Sequence, residues 1–445
     1  MQNKFNKLSI AVAIASTALV SSQAQAAGFQ VREQSAKTLA NAFSNAAAGA
    51  EDASFMAHNP AAIGNIDGTQ VTGGLSYIDA DFELRNGEAS SAFGFPYGSD
   101  ASGQGGETAW VPSFAAKTQL NDQFDLGLAI YSPYGLSTQY DKDWIGRYHG
   151  IETELKTIDI QPTLNYRVND RLSIAAGLRA EYADATLSNA SDFGSLAASQ
   201  GVPGAAPGQN DVIGEVTGDD WGYGYTLGAL FQVTDKTRLG ISYRSKIDLT
   251  LDGELNVEGT DPLSDGAVAA GLVTGTGGTA DLTTPANLNL GVYHQLTDRL
   301  ALMANAEWIE WSSFDELVVE FDDGRDSSVT EENWDDTWAF SVGANYALTP
   351  QWLLRAGLGY DQTPVPSSRY RTPRVPDSDR RWASVGATYM PTPELGITAG
   401  YLHVFGKDVD MDQDATDTGN ASRGNLAGTY EVSADVLALS VDYRF

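Results

Sequence analysis

The sequence predicts an all-β protein, a 14-stranded antiparallel transmembrane β-barrel with an N-terminal hatch, or plug, inside the lumen. Three observations carry this. Segments long enough to cross a bilayer alternate apolar and polar residues, short polar turns alternate with long acidic loops, and the last strand is amphipathic and ends in an aromatic residue.

Composition narrows the function before any motif does. The chain has 445 residues, no cysteine, and a net charge of −31 from 27 Lys and Arg against 58 Asp and Glu. Nucleic acid is not an expected partner, because phosphate binding needs a clustered basic face. Without cysteine there are no thiolate metal sites, thiol nucleophiles or disulfides. No cofactor is expected.

Residues 1–26 read as a signal peptide: Lys4 and Lys7, an apolar run from Leu8 to Val20, then Ala24-Gln25-Ala26. The run of 13 residues is too short for a membrane helix, which needs roughly 20. Its removal takes two lysines and moves the charge from −31 to −33. No later stretch offers 18 consecutive apolar residues, so the chain is either periplasmic or crosses a bilayer with strands.

Residues 27–68 do not alternate. They are rich in Ala, Asn and Ser around Phe29, Val31, Leu39, Phe43, Phe55, Met56 and Ile63, too apolar for a linker, and are read as the plug. Residues 69–445 form the barrel. Its short turns are Asn121-Asp122, Asn169-Asp170, Thr234-Asp235-Lys236, Thr297-Asp298, Thr349-Pro350 and Pro391-Thr392-Pro393. Long acidic loops fall near 85–106, 140–154, 188–219, 254–283, 314–332, 364–378 and 409–428. Six turns and seven loops join 14 strands with both ends on the short-turn side.

Along single strands, Leu172, Ile174, Ala176, Leu178, Ala180 and Tyr182 share a face against Ser173, Arg179 and Glu181. Leu239, Ile241, Tyr243, Ile247, Leu249 and Leu251 likewise oppose Ser242, Arg244, Lys246, Asp248 and Thr250, so the apolar set is assigned to lipid and the polar set to the lumen. Leu437, Leu439, Val441, Tyr443 and Phe445 close the chain on one face, the ending usual in bacterial outer-membrane proteins. Tyr166, Trp308, Trp311, Trp352, Trp382 and Tyr389 fit interfacial girdles. In the third strand Pro133 lacks an N–H for the ladder and Gly135 tolerates a kink, which marks either an opening in the wall or a bend at the rim.

Several runs together resemble one known family. Ala27-Gly28-Phe29-Gln30, Glu51-Asp52 ahead of Asn59-Pro60-Ala61, Ala109-Trp110-Val111-Pro112, Tyr134-Gly135-Leu136, Trp221-Gly222-Tyr223-Gly224, Trp311-Ser312-Ser313-Phe314 and Pro364-Val365-Pro366 resemble the long-chain fatty-acid transporter (FadL) family over the whole mature chain. The resemblance implies a monomeric 14-stranded barrel in the bacterial outer membrane, closed by an N-terminal hatch and set among lipid and lipopolysaccharide. It implies passive carriage of hydrophobic compounds, captured in an outer groove, held in an apolar pocket and released sideways at the kinked third strand. Phe29, Val31, Phe43 and Phe55 are the candidate substrate-binding residues, and Asn59, Pro60, Ala61, Pro133 and Gly135 the candidate gate, with Asn59-Pro60-Ala61 facing the kink.

The cargo is left between a fatty acid and a neutral hydrocarbon. In the family, bases from the far end of the fifth strand and the loop after the ninth meet a carboxylate. Here those stretches read Thr186-Leu187-Ser188-Asn189-Ala190 and Leu317-Val318-Val319-Glu320-Phe321-Asp322, without a base. Arg179, Arg244 and Lys246 in the lumen, or Arg325 in a loop, are the candidate replacements for the headgroup.

Other classes have less support. A lipase would need a histidine base, and the four histidines, His58, His149, His294 and His403, accompany no G-x-S-x-G elbow and no H-E-x-x-H. No enzymatic activity is expected. A general diffusion pore is opposed by a plug in the lumen. Asp408, Asp410, Asp412 and Asp414 begin like a calcium loop, but Gln413 occupies the glycine position, so no metal site is assigned.

Overall fold

The computed structural model describes residues 28–417 and 419–445. The expected signal peptide lies outside the described residues. No described helix is long and apolar enough to cross a membrane. The chain instead closes 14 antiparallel strands. They are β1 (Thr69–Ser90), β2 (Pro96–Gln104, resuming at Thr108–Gln119), β3 (Phe124–Tyr131 and Gly135–Gln139), β4 (Glu152–Asn169) and β5 (Leu172–Ser191). Then come β6 (Val212–Thr234), β7 (Thr237–Arg244 and Ile247–Gly259), β8 (Thr276–Thr284 and Asn287–Gln295), β9 (Leu300–Ile309 and Glu316–Phe321) and β10 (Ser328–Glu331 and Thr337–Ala347). The last are β11 (Trp352–Asp361), β12 (Arg380–Tyr389), β13 (Leu395–Gly406 and Val409–Gln413) and β14 (Asn425–Arg444). β14 pairs with β1 from Gln70↔Arg444 to Ser90↔Asn425, which closes the described strands on themselves.

The six short turns fall where the sequence places them. At Asn121 and Asn169 the side-chain oxygen accepts backbone N–H bonds from two and three residues on, a local cap that tightens the reversal. The long loops are shorter than expected, because strands run on into the stretches 188–219 and 254–283. Their remaining lengths carry a short helix each, Phe193–Ser199 and Pro262–Ala269.

Along β5 the faces follow the predicted alternation, Leu178 exposed and Arg179 fully buried. β7 departs from it. Leu239 and Ile241 face outward as expected, but Arg244 and Ser245 both turn inward, and from there Ile247, Leu249 and Leu251 are buried while Lys246 and Asp248 point out. The extra residue at the break reverses the parity. Lys246 is therefore not lumen-facing; it lies 3.7 Å from Asp248 on the outer surface. Such a reversal places apolar side chains inside at the height where the outer face meets headgroups and water instead of hydrocarbon.

Corresponding breaks occur in the next three strands. Arg244, Asn287, Ile309 and Thr337, the residues flanking the breaks in β7 to β10, are cross-strand partners in one row. The girdle is present in Trp352 against Tyr389, ring centroids 4.8 Å apart, and Phe124 against Tyr166 at 5.1 Å. Trp311 and Trp382, expected there, are instead buried at 0% and 5% exposure: Trp311 sits in the break of β9, and Trp382 takes an inward position on β12.

Residues 28–66 are almost wholly buried and touch strands around the whole circumference, so they lie within the lumen. The segment folds as a chain of capped turns. Ser35 caps a four-residue helix, Asp52 caps the 3-10 turn Ala53–Ala57, and Asn59 caps Pro60–Asn65 with Pro60 in the first position. The wall makes room for its backbone with glycines. A Cβ on Gly240 would strike the Ala47 carbonyl, and one on Gly357 the Asn41 carbonyl. Buried ion pairs then fasten it: Lys37 to Asp52 (2.8 Å) and to Asp442 of β14 (2.7 Å), Arg32 to Glu307 (2.9 Å) and Asp361 (2.8 Å), and Glu51 to Arg355 (2.5 Å). Removing one member of such a pair strands a charge and costs about 3–5 kcal/mol.

Candidate functional site

Three features line up along the lumen: a break in the wall, an aromatic cage and an outer groove. The break is in β3. Residues Asp125–Ile130 pair with β2 from Gln119↔Asp125 to Phe114↔Ile130. Past that point the two strands meet again only at Gly106↔Thr138 and through Gln139 N–H donating to the Gly105 carbonyl at 3.1 Å, among the described residues. Between those points residues 108–113 of β2 keep β1 as their ladder partner. The gap is level with Trp110, which packs at a tilt against Tyr77 at the outer face, ring centroids 4.8 Å apart.

The cause is local. Pro133 cannot donate to a ladder, and residues 131–134 turn inward, all buried. On the β4 side the bend is held by side chains: Tyr134 N–H donates to Thr157 Oγ1 (3.0 Å), and Ser132 Oγ donates to the Thr157 carbonyl (2.7 Å). The swing carries Tyr134 across to β8, where its hydroxyl donates to the Pro285 carbonyl at 2.6 Å. The N-terminal segment seals the inside. Val31 N–H donates to the Pro133 carbonyl (2.9 Å), and Gly135 N–H donates to the Phe29 carbonyl (2.8 Å).

Phe29 occupies the cage. It is 2% exposed, with ring centroids 4.7 Å from Trp311, 5.4 Å from Phe314, 5.8 Å from Trp334 and 5.9 Å from Tyr134. Trp311 and Phe314 come from the break in β9, Trp334 from that in β10, and Ile247, Leu249 and Leu251 from the reversed part of β7 complete the cluster. Gly28 adopts φ of 59°, and a Cβ there would press on Trp311 and Trp334, so glycine is required by both backbone and space.

The four predicted substrate residues do not share a pocket. Val31 and Phe43 belong to a separate cluster, in which Phe43 meets Trp382 edge-on at 5.9 Å. Phe55 packs lower down, with Ala61, Ala62, Ala175 and Leu230. The predicted gate separates as well. Pro133 and Gly135 flank the break, but Asn59 and Pro60 abut Gly228 on β6, where Asn59 Nδ2 donates to the carbonyls of Ala47 (2.7 Å) and Ala229 (3.3 Å). Ala61 N–H donates to Asn59 Oδ1 at 3.0 Å. Residues 29–31, not 59–61, face the kink.

Of the candidate cations, Arg179 is fully committed: Asp159 at 2.5 Å, Glu181 at 2.6 Å and the Ser245 carbonyl at 3.0 Å. Arg244 donates to the Ala57 carbonyl (2.7 Å) and the Tyr131 hydroxyl (3.2 Å), beneath the cage. Arg325 is paired with Asp323 at 2.5 Å.

Above the cage the loops enclose a groove of about 740 Å³ whose walls include Leu187, Val216, Leu255, Leu317, Val319 and Phe321. Leu317 also packs against the Phe29 cluster, so groove and cage are continuous. Two arginines reach it that the sequence reading passed over, Arg374 from the loop after β11 and Arg423 from the loop before β14. Arg374 extends to the far end of β5, donating to the Ser188 carbonyl (3.3 Å) and Asn189 Oδ1 (3.4 Å). It brings a base in space to a stretch that has none in sequence.

Residues 17–445 match the family model "Outer membrane protein transport protein (OMPP1/FadL/TodX)". The chain is 31% identical to a long-chain fatty acid transport protein of Escherichia coli O6:H1, over 91% of this chain and 92% of that protein. It is also 31% identical to a 47 kDa outer membrane protein of Pasteurella multocida, over 100% and 99%. Among solved structures, a FadL homologue of Pseudomonas aeruginosa superimposes with a TM-score of 0.85 at 31% identity, covering 94% of this chain and 100% of that one.

Proposed function

The chain belongs to the outer membrane protein transport protein family (OMPP1/FadL/TodX) and is a barrel of the bacterial outer membrane, and on that premise we propose that it carries hydrophobic molecules, long-chain fatty acids foremost, passively inward. In this reading residues 1–26 are a signal peptide, residues 27–68 a plug and residues 69–445 the barrel, acting as a monomer among lipid and lipopolysaccharide. No catalytic step belongs to it, and a lipid-hydrolysis assay on the purified protein should be blank.

Capture needs no energy source. Moving an alkyl chain from water onto the groove's apolar wall is favourable by about 0.8 kcal/mol per methylene. Passing from groove to cage continues the same burial. The rings around Phe29 are in contact, so cargo enters the cage by displacing Phe29. The observation that carries the reading is that Phe29 and Val31 also hold the backbone bonds sealing the break in β3. Displacement therefore opens the wall at the moment cargo arrives, and release is sideways, through the β2–β3 gap.

The test is the double variant Pro133→Val/Gly135→Val, which restores a donor and strand propensity. Uptake of radiolabelled oleate into cells lacking another route should fall several-fold. Undiminished uptake through a correctly assembled variant would sink the lateral route.

A further inference from the structure

Arg374 and Arg423 make no ion pair among the described residues, and the acid that faces both is Glu332. Arg374, 7% exposed, donates to four neutral oxygens: the carbonyls of Glu152 (3.1 Å) and Ser188 (3.3 Å), Thr153 Oγ1 (3.1 Å) and Asn189 Oδ1 (3.4 Å). Arg423, partly buried, donates to Thr330 Oγ1 (2.9 Å), Ser328 Oγ (3.3 Å) and the Val329 carbonyl (3.4 Å). Among the described residues neither has a carboxylate within ion-pair distance. A guanidinium does not shed its proton at neutral pH, and burying one unpaired is costly. Four other buried arginines, Arg32, Arg147, Arg179 and Arg355, each have an acidic partner, while Arg244 and Arg371 donate to carbonyls as these two do but line no part of the groove.

The two side chains approach one groove from opposite walls, Arg374 along β4 and β5 and Arg423 along the outer part of β10. They are close enough to repel; burial first and Arg423 second push Arg374 down to about 9. The other charged groups nearby do not neutralise them. Arg325 is taken by Asp323, Asp192 accepts from Tyr97 and Ser195, and Asp326 is at the exposed rim. Glu332, buried and bonded to Trp334 Nε1 at 3.0 Å, is pushed up to about 8 by burial against the pull of Arg374 and Arg423; ionised, it would serve only one of them and leave one positive charge in excess. His149, buried beside them, is pushed down to about 3 by burial and by Arg423, so it is neutral.

What remains is a pair of cationic forks at one end of an apolar channel. Val375, next in chain to Arg374, belongs to the Phe29 cluster, so the charged end lies where groove passes into cage. We propose that Arg374 and Arg423 are the headgroup site of the outer groove, taking the carboxylate of a long-chain amphiphile while its alkyl chain lies on the apolar wall. A planar carboxylate matches a guanidinium fork bidentately. Neutral hydrocarbons would use the wall and leave both cations unpaired.

The assignment rests on the transport reading but fails separately from it. The purified full-length barrel in detergent is titrated with oleate, methyl oleate and toluene, for the wild type, Arg374→Gln/Arg423→Gln and Arg374→Lys. Closed-barrel mobility on unheated gels confirms assembly. The wild type should prefer oleate to its methyl ester by at least about tenfold, the scale of a charged hydrogen bond. The double variant should bring the ratio within about twofold of unity, and the lysine variant should keep most of it. Equal wild-type affinities for acid and ester, or a preference that survives in the double variant, would overturn the headgroup site and leave hydrophobe transport standing. Binding of none of the three would overturn both.

Discussion

Replacing Phe29 with alanine tests the link between cage and wall. The ring is 2% exposed and touches four aromatic side chains, so its loss removes nearly a whole buried phenyl group and leaves a cavity. Fully buried Phe→Ala changes cost about 3–5 kcal/mol. Residues 28–31 lie outside the barrel ladder except for the bridge Gln30↔Tyr134, so the cost appears as local opening and not as unfolding of the barrel. Taking about 4 kcal/mol, the open fraction of that segment rises by about a thousandfold. The amides to watch are Val31 N–H, bonded to the Pro133 carbonyl, and Gly135 N–H, bonded to the Phe29 carbonyl. Hydrogen exchange in detergent should accelerate at both by two to three decades at constant pH, roughly in line with that fold-change, while β1 and β14 amides are unaffected. Wild-type protection at Gly135 in the alanine variant would refute the reasoning, since the seal would then be independent of the cage.

Three other outcomes follow from named contacts. Lys37→Met leaves Asp52 and Asp442 facing each other without a cation, so the temperature at which gel mobility shifts should fall, consistent with a loss of about 3–5 kcal/mol. Glu332 is held protonated by burial: its stabilising contribution is full below pH about 4.5, declines as pH rises and is gone above about 8. Thermal stability of the wild type should accordingly drop across that window by more than that of Glu332→Gln, which stays neutral throughout. Lys246→Gln, on the outer surface, should leave oleate affinity within about twofold of the wild type, and a larger loss would return Lys246 to the lumen.

The barrel was legible because its signals are local. Asn121 and Asn169 cap their own turns, and Leu437 to Phe445 alternate against one lipid face. The site was less legible because it is built from departures from those rules. In β7 the apolar residues keep the same parity from Leu239 to Leu251, so nothing in the pattern marks the reversal at Arg244 and Ser245. Trp311 looked like a girdle residue because aromatic type alone does not distinguish a headgroup-level ring from one folded inward at a break. Trp311 and Phe314, flanking Ser312-Ser313 outside any alternation, were the available sign. Asn59-Pro60-Ala61, expected to face the kink, is a capped turn that docks against Gly228 instead, since capping is local and docking is not. Arg374 and Arg423 were missed for the same reason: only the folded loops show that they face one groove with a single buried acid, Glu332, between them.

The most direct test of the central claim is to close the β2–β3 gap reversibly. The chain has no cysteine, so Ser113→Cys/Ser132→Cys carries the only two thiols, one on each side of the break. Bridging them with a reducible bismaleimide should abolish oleate uptake, and cleaving the linker should restore it. Unchanged uptake through fully bridged barrels would mean that the cargo leaves by another path.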